Sequence, residues 1–392
     1  MTSVLISGAS IAGPALAHWL RRSGFDVTIV EKSHTLRGGG YPIDIRGTAV
    51  GVVERMGLLP RLREAHVDTQ RITMLDADGS VVTSMSAVAL TGSRDEDIEI
   101  PRGELTTMLY DTVRDDVEFL FDNSIVALND HADGVDVTFR SGLERTYDLV
   151  IGADGLHSGV RALVFGPEEQ FHHYLGYCFA GFTMPNRLGL AHEGVMWNQP
   201  GRAAALYAAG TGGTVHGFLN FALPEAPFGA FKDPAAQRDL VASVFAGDGW
   251  EVPHMVETMR TADDLFFDTV SQIHLPRWSS GRVALVGDAA YAPSFLTGQG
   301  SSLALVGAYV LAGHLATAHD HTAAFDAYER QTRPFVEANQ GIVGKSRSEM
   351  LPGTAEALAA RNAALRTRAT MPAEQPRPEH SAMELPEFIP SS

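Results

Sequence analysis

Hydrophobic and polar positions change period along this chain, and the changes mark its elements. Val4-Leu5-Ile6 is a short apolar run that stops at Ser7-Gly8. Ala15, Leu16, Trp19 and Leu20 then recur at helical spacing, with Gly24 placed to end the helix. A second run, Val27-Thr28-Ile29-Val30, ends at Glu31. The pattern predicts strand, tight turn, helix, strand, acid. Residues 71–90 alternate around Asp76-Ala77-Asp78-Gly79 and predict a hairpin. Residues 171–225 hold several alternating runs, among them Val215-His216-Gly217-Phe218-Leu219-Asn220-Phe221. A later strand, Arg282-Val283-Ala284-Leu285-Val286, runs into Gly287-Asp288, then Pro293, then Gly298-Gln299-Gly300, then a helix from about Ser302 to Leu315. Residues 336–370 are rich in Ala, Glu and Arg at helical spacing, and predict one closing helix. From Met371 to Ser392 the chain is rich in Pro and Glu with little to bury, which predicts a poorly ordered tail.

The first turn has a chemical reading. Gly8 permits a sharp bend, and Gly13 permits close approach of helix to sheet. The helix N-terminus offers free N–H groups and a partial positive charge to a pyrophosphate. Glu31 sits where a carboxylate can accept hydrogen bonds from an adenosine ribose. Ser10 stands where the usual fingerprint has its middle glycine. This turn indicates a dinucleotide and leaves NAD and FAD undivided.

Composition removes other classes. The 392 residues suffice for two domains, and 45% apolar content supports a sizeable core. A formal net charge of −17 opposes nucleic acid and an anionic membrane surface. One cysteine, Cys178, excludes an internal disulfide and a thiolate cluster, and fits a cytoplasmic compartment. Neither a signal peptide nor an apolar run of about 18 residues is read, so no membrane contact is expected. No metal-ligand spacing, nucleophile elbow or W-x-W-x-I-P halogenase signature occurs.

Three segments together carry a resemblance: Gly8 to Gly13, Asp148-Leu149-Val150-Ile151-Gly152-Ala153-Asp154-Gly155 with Ser158 and Arg161, and Gly287-Asp288 through Pro293 to Gly300. They resemble the single-component FAD-dependent aromatic hydroxylases of the para-hydroxybenzoate hydroxylase type. Within that group the chain is most similar to the short members that hydroxylate polyketides or inactivate tetracyclines, from residue 1 to about 335. The resemblance implies that Gly8, Ser10 and Gly13 cradle the FAD pyrophosphate, and that Glu31, with Lys32 beside it, serves the adenosine end. It assigns Asp288 to the ribityl chain, and Pro293, Gly298 and Gly300 to the flavin ring. Asp154 and Arg102 (in Pro101-Arg102-Gly103-Glu104-Leu105) would support the FAD. In Arg37-Gly38-Gly39-Gly40-Tyr41-Pro42-Ile43-Asp44, Asp44 would touch FAD and Arg37 NADPH. His216 on its strand resembles a substrate-contacting histidine, with Phe221 and Phe295 lining an aromatic pocket alongside Phe179 and Phe218. A polar substrate partner of those enzymes falls near Met196 here. Many relatives have histidine at Tyr291, asparagine at Ser302, and Glu-Asp at Val306-Gly307. Plainer roles remain open at this point: a turn cap for Asp288, a surface ion pair for Arg102, an exposed arginine at 37, and a half-buried strand histidine at 216.

The implied fold is α/β, with a Rossmann-like FAD-binding domain on a discontinuous chain (1–70, 98–168 and 268–335). A second, sheet-rich substrate domain takes 71–97 and 169–267, a C-terminal bracing helix 336–370, and a flexible tail 371–392. No second glycine-rich nucleotide unit is read, so NAD(P)H is expected as a transient co-substrate. The resemblance implies hydroxylation of an aromatic or polyketide-type, tetracycline-like small molecule with NAD(P)H and O2, through a flavin C4a-hydroperoxide. The cofactor carries the hard step, so no catalytic side chain is assigned. A monomer is expected. Two alternatives stay open: a flavoprotein dehydrogenase or reductase, and a non-catalytic FAD-containing binding protein.

Overall fold

Val4–Ser7, Val27–Val30 and Leu149–Gly152 are buried on both faces, as strands of a covered parallel sheet must be. The computed structural model describes residues 1–36, 41–88, 96–227, 233–343, 350–368 and 377–388. In it these strands form the centre of a six-stranded sheet, ordered Ser279–Ser280, Val283–Leu285, Leu149–Gly152, Ser3–Ser7, Asp26–Val30, Glu118–Leu120. All pairings are parallel except that of the Ser279–Ser280 edge. The helices Ala12–Arg22 and Gly300–Thr317 pack together beside it. The second helix spans 18 residues and is apolar enough to cross a membrane, contrary to the sequence expectation, but most of it is buried within the protein.

A seven-stranded sheet stands apart, ordered Phe266–Ile273, His172–Pro185, Thr214–Ala222, Arg202–Ala208, Glu193–Gln199, Arg71–Leu75, Val81–Ser86. The Arg71–Leu75 and Val81–Ser86 strands make the expected hairpin, with Gly79 at φ 82° in its turn. Both faces of this sheet are covered. One carries Leu219, Phe221 and Trp197 against Val241, Phe245, Val252 and Met255 of the helical segment that follows it. The other carries Tyr177, Phe179, Ala203 and Val270 toward Leu296, Val343 and Leu351. The Phe266–Ile273 strand pairs with His172–Pro185 along its length, so the boundary drawn at 268 falls inside one element.

The C-terminal region departs from expectation twice. Residues 336–370 are not one helix. The His321–Gln340 helix ends there, and a separate Ala355–Arg368 helix follows Pro352-Gly353, which cannot sustain a helix. The described part of the tail, residues 377–388, is also docked. Met383 is buried and its carbonyl accepts from Thr48 Oγ1 at 2.7 Å. Pro386 O accepts from Arg55 Nη1 at 2.9 Å and from Tyr309 Oη at 2.6 Å. Phe388 packs on Tyr309 and His314, directly over Gly313. Low apolar content misled here, because a few spaced anchors and side-chain donors from the body suffice to hold an extended strap.

Candidate functional site

The C-terminal ends of the five parallel strands form a trough, the usual ligand position in open α/β sheets. At its first wall, Gly8 has φ 110°, and a Cβ there would lie 2.4 Å from the Ala153 carbonyl oxygen. A Cβ on Gly13 would lie 1.9 Å from the Gly8 carbonyl oxygen. Any side chain at either position would pry the turn open. The Ala12–Arg22 helix has no side-chain cap and no acid in its first turn, so its N-terminus presents backbone donors to the trough. Glu31 lies across the mouth, with Oε2 accepting from Ala9 N at 2.9 Å and Oε1 from Ser33 N at 3.0 Å. Lys32 beside it is exposed.

Arg102 joins this wall to the next. Its Nη2 donates to Ser10 Oγ at 2.8 Å, and its guanidinium acts electrostatically on Asp288. Asp288 is pushed above the usual carboxylate range, chiefly by burial; Arg102 works against that and Asp268 adds to it. The Asp288 turn packs on the first turn, since a Cβ on Gly287 would lie 3.1 Å from Ala12 Cβ. Beyond Pro293, Ser294 holds φ 79°, rare for a non-glycine residue and a mark of a constrained loop. Gly300 then opens a second helix with no side-chain cap. A Cβ on Gly300 would lie 3.8 Å from Asp288 Oδ1, and one on Gly298 would lie 3.1 Å from Asp44 Oδ2. Asp44 is paired with Arg46 at 3.0 Å. Asp154 lies behind Gly8, its carboxyl raised by burial although Ser158 Oγ and Val160 N donate to it. Gly8, Ser10, Gly13, Arg102, Asp44, Asp288, Gly298 and Gly300 therefore border one trough. Arg37 lies outside the described residues.

The trough ends on the seven-stranded sheet. Tyr41 meets Phe218, Phe179 and Phe266 edge-on, with centroids 5.6, 6.5 and 6.4 Å away. Phe179 lies 4.7 Å from Phe295 of the Pro293–Gly300 loop. His216 pairs in register with Thr183 and Tyr207 and shares the face of Phe218, two residues on. Burial lowers its imidazole pKa, with Asp264 opposing, so it is held neutral. Met196 lies on the same face, in register with Ala205. Phe221 does not belong to this group. Its odd register turns it to the opposite face, where it packs on Phe245, so Phe218 takes the place expected for it.

A cradle that two side chains would fill, an uncapped helix at each end and buried carboxylates along the floor fit a flavin dinucleotide. Comparison with known proteins agrees. A family described as FAD binding domain matches residues 1–176 and 265–341. A flavin-dependent monooxygenase of Legionella longbeachae is 36% identical over 338 residues, 86% of each chain. The chain belongs to the FAD-dependent monooxygenases. An uncharacterized protein of Mycobacterium tuberculosis is 44% identical over 91% of this chain and 95% of its own. The crystal structure of tetracycline destructase Tet(55) is 37% identical, covers 98% of both chains, and superposes with a TM-score of 0.84.

Two positions singled out in the sequence, Tyr291 and Gly307, share one space. Tyr291 is buried, and its hydroxyl occupies the space a Gly307 Cβ would need, 1.9 Å away. Tyr328 is hydrogen-bonded to it at 3.1 Å. The ring at 291 is accommodated because residue 307 has no side chain. Ser302 is also structural: its Oγ accepts from Arg46 N at 3.1 Å, tying the Asp44 loop to the second helix.

Two residues next to the trough make contacts that the sequence does not show. Glu99 accepts from Tyr207 Oη and Thr69 Oγ1, both at 2.6 Å. Burial raises its pKa, and nearby Asp44 raises it further. Its place between Ile98 and Ile100 reads as the solvent face of a strand. Only the Tyr207 row of the other sheet reveals the burial. His157 bridges Glu168 at 2.8 Å and Asp268 at 3.1 Å, linking the Asp154 segment to the Phe266–Ile273 strand. Alternate spacing could not show a contact made across 111 residues.

Proposed function

We propose that this monooxygenase uses NAD(P)H and O2 to hydroxylate an electron-rich aromatic or polyketide-type molecule, with the tetracycline scaffold among the candidates. The balance is substrate C–H, O2, NAD(P)H and a proton giving C–OH, water and NAD(P)+. Bound FAD would take the hydride and activate oxygen; the protein's part is placement. The Gly8–Gly13 turn and the Ala12–Arg22 helix would hold the pyrophosphate, with Glu31 on the adenosine ribose and Asp288 on the ribityl hydroxyls. Arg102 and Asp154 would steady both. The Gly300–Thr317 N-terminus would stabilise negative charge on the pyrimidine edge. A temporary nicotinamide contact by Arg37 belongs to the same reading.

The observation that carries the substrate class is the aromatic face made by Tyr41, Phe179, Phe218, Phe266 and Phe295 beside that helix N-terminus. It excludes water and offers ring edges to a planar molecule. His216, neutral on the same face, would exchange a hydrogen bond with a substrate hydroxyl. Met196 makes no hydrogen bond of that kind, which favours a scaffold other than tetracycline itself. Dependence on NAD(P)H fits a cytoplasmic enzyme, and a complete trough within one chain fits a monomer. The test is substrate-stimulated NAD(P)H oxidation with a product heavier by one oxygen. NAD(P)H consumption unaffected by any phenol or polyketide would overturn the substrate assignment.

A further inference from the structure

Tyr291, Ala292 and Pro293 join the Asp288 turn to the loop that ends at Gly300, and all three are buried. Their carbonyls cannot reach water and need donors within the protein. Ile273 N donates to Ala292 O at 3.1 Å. The other donors are two side-chain amides. Gln340 Nε2 donates to Ile273 O at 3.0 Å, to Ala292 O at 3.2 Å and to Tyr291 O at 3.4 Å. Gln272 Nε2 donates to Pro293 O at 3.0 Å and to Gln340 O at 2.8 Å, a carbonyl left over at the end of the His321–Gln340 helix. His274 Nε2 donates to Gln272 Oε1 at 2.9 Å. That contact fixes the amide's orientation, because turned over its oxygen would face two carbonyl oxygens. Both glutamines are buried.

Ser294 comes next, at φ 79°, a conformation that persists only where its surroundings over-determine it. The pinned Pro293 carbonyl is the last fixed point before that turn. Beyond it lie Phe295 against Phe179, Gly298 beside Asp44 and Gly300 beside Asp288. Gln272 has the parity of Phe266 and Val270 on its strand, the parity of the aromatic face. Gln340 closes its helix just before Val343, which packs on that same face. The two amides thus tie the aromatic sheet, the end of the long helix and the flavin-side loop at one point.

We infer that Gln272 and Gln340 are positioning residues for oxygen transfer, which hold the Pro293–Gly300 loop and the Gly300–Thr317 N-terminus in register with the aromatic face. The inference rests on the proposed reading in which that loop lines the flavin ring. With the clamp released, the helix N-terminus stabilises negative charge on the reduced cofactor less well. Substrate is also held less closely to the reacting position, and turnover is diverted. The diverted balance is NAD(P)H, a proton and O2 giving NAD(P)+ and hydrogen peroxide.

Gln272→Met and Gln340→Met keep the side-chain length and remove the donors. Arg282→Met is the control, because it frees the backbone carbonyls of His131, Ala132 and Asp148 at the opposite end of the six-stranded sheet. All of these variants should melt at lower temperature than wild type. In the glutamine variants oxidised FAD should bind within about threefold of wild type, while reduced FAD loses at least about threefold more, read as a fall in the flavin midpoint potential. The visible FAD band should shift. With a phenol or polyketide that wild type oxygenates, a larger share of NAD(P)H should end as hydrogen peroxide. Arg282→Met should leave potential, band and peroxide share as in wild type. Gln272→Asn and Gln340→Asn, one methylene shorter, carry the same readings in milder form if a Met variant fails to fold. Glutamine variants that lose melting temperature alone, with potential and band unchanged, would overturn the inference. A shifted potential and band in an enzyme that oxygenates no phenol or polyketide would keep the clamp and remove the proposed function.

Discussion

Arg102 Nη2 donates to Ser10 Oγ across 2.8 Å, so the residue that breaks the glycine fingerprint is the one that anchors the arginine. The arginine in turn moderates Asp288, a buried carboxylate at the other wall. A serine that looks like a defect in the sequence is therefore a joint between the two halves of the cofactor trough. Removing the guanidinium would leave Asp288 with less compensation and, on the proposed reading, would cost the FAD a charged contact. Arg102→Met should weaken FAD binding by more than about tenfold. Ser10→Gly, which restores the fingerprint, should change it less than about threefold. Fluorescence titration of apo-protein with FAD measures both, and equal losses would contradict the division of roles.

Gly307 and Tyr291 should be coupled. Gly307→Ala puts a methyl into the Tyr291 hydroxyl and should cost about 1–3 kcal/mol by overpacking. Tyr291→Phe removes that hydroxyl and should relieve most of the cost in the double variant. Thermal or urea unfolding of the four proteins closes the cycle. Additive losses would mean the two positions do not share this space.

The strap of residues 377–388 should contribute to stability. Phe388→Ala should destabilise by about 2 kcal/mol, because the ring is only half-buried. Gly313 lies under that ring, with Phe388 Cδ2 2.0 Å from where its Cβ would be. Gly313→Ala should therefore destabilise the wild type. In the Phe388→Ala background it should stabilise by up to about 1 kcal/mol through helix propensity. Unfolding curves with the same sign in both backgrounds would remove the strap from the account.

The His157 bridge has a pH signature. Burial disfavours the imidazolium, but hydrogen bonds to Asp268 and Glu168 outweigh it and push the pKa from 6.5 up to about 9. A raised folded-state value means the stabilisation is fully present below about pH 6.5 and is lost as pH rises toward 9. The ring is 40% exposed, so solvent screening keeps the effect modest. Melting temperature should fall more steeply across that window in wild type than in His157→Gln. Parallel profiles would show that the bridge carries no net charge effect.

The parts legible in the sequence were those fixed by backbone demands. Gly8 and Gly13 must be glycine where the turn leaves no room for a Cβ, and the strand before and helix after follow from apolar spacing. The Gly287-Asp288 to Gly300 segment was legible for the same reason. Phe221 was misplaced because its strand is buried on both faces. Val215, Phe218, Leu219 and Phe221 are apolar at both parities, so alternation cannot say which face meets the site. Glu99 was invisible because its burial depends on Tyr207, a partner distant in sequence. The strap was missed because composition measures how much a segment can bury and not whether a groove awaits it.

The central claim is oxygen transfer by a flavin held in this trough. The most direct measurement is mass spectrometry of the product formed by the FAD-loaded enzyme with NAD(P)H under ¹⁸O-labelled O2. The account predicts one labelled oxygen on the aromatic or polyketide product, with the other in water. NAD(P)H oxidation that yields only hydrogen peroxide, or a product whose new oxygen comes from solvent, would contradict it.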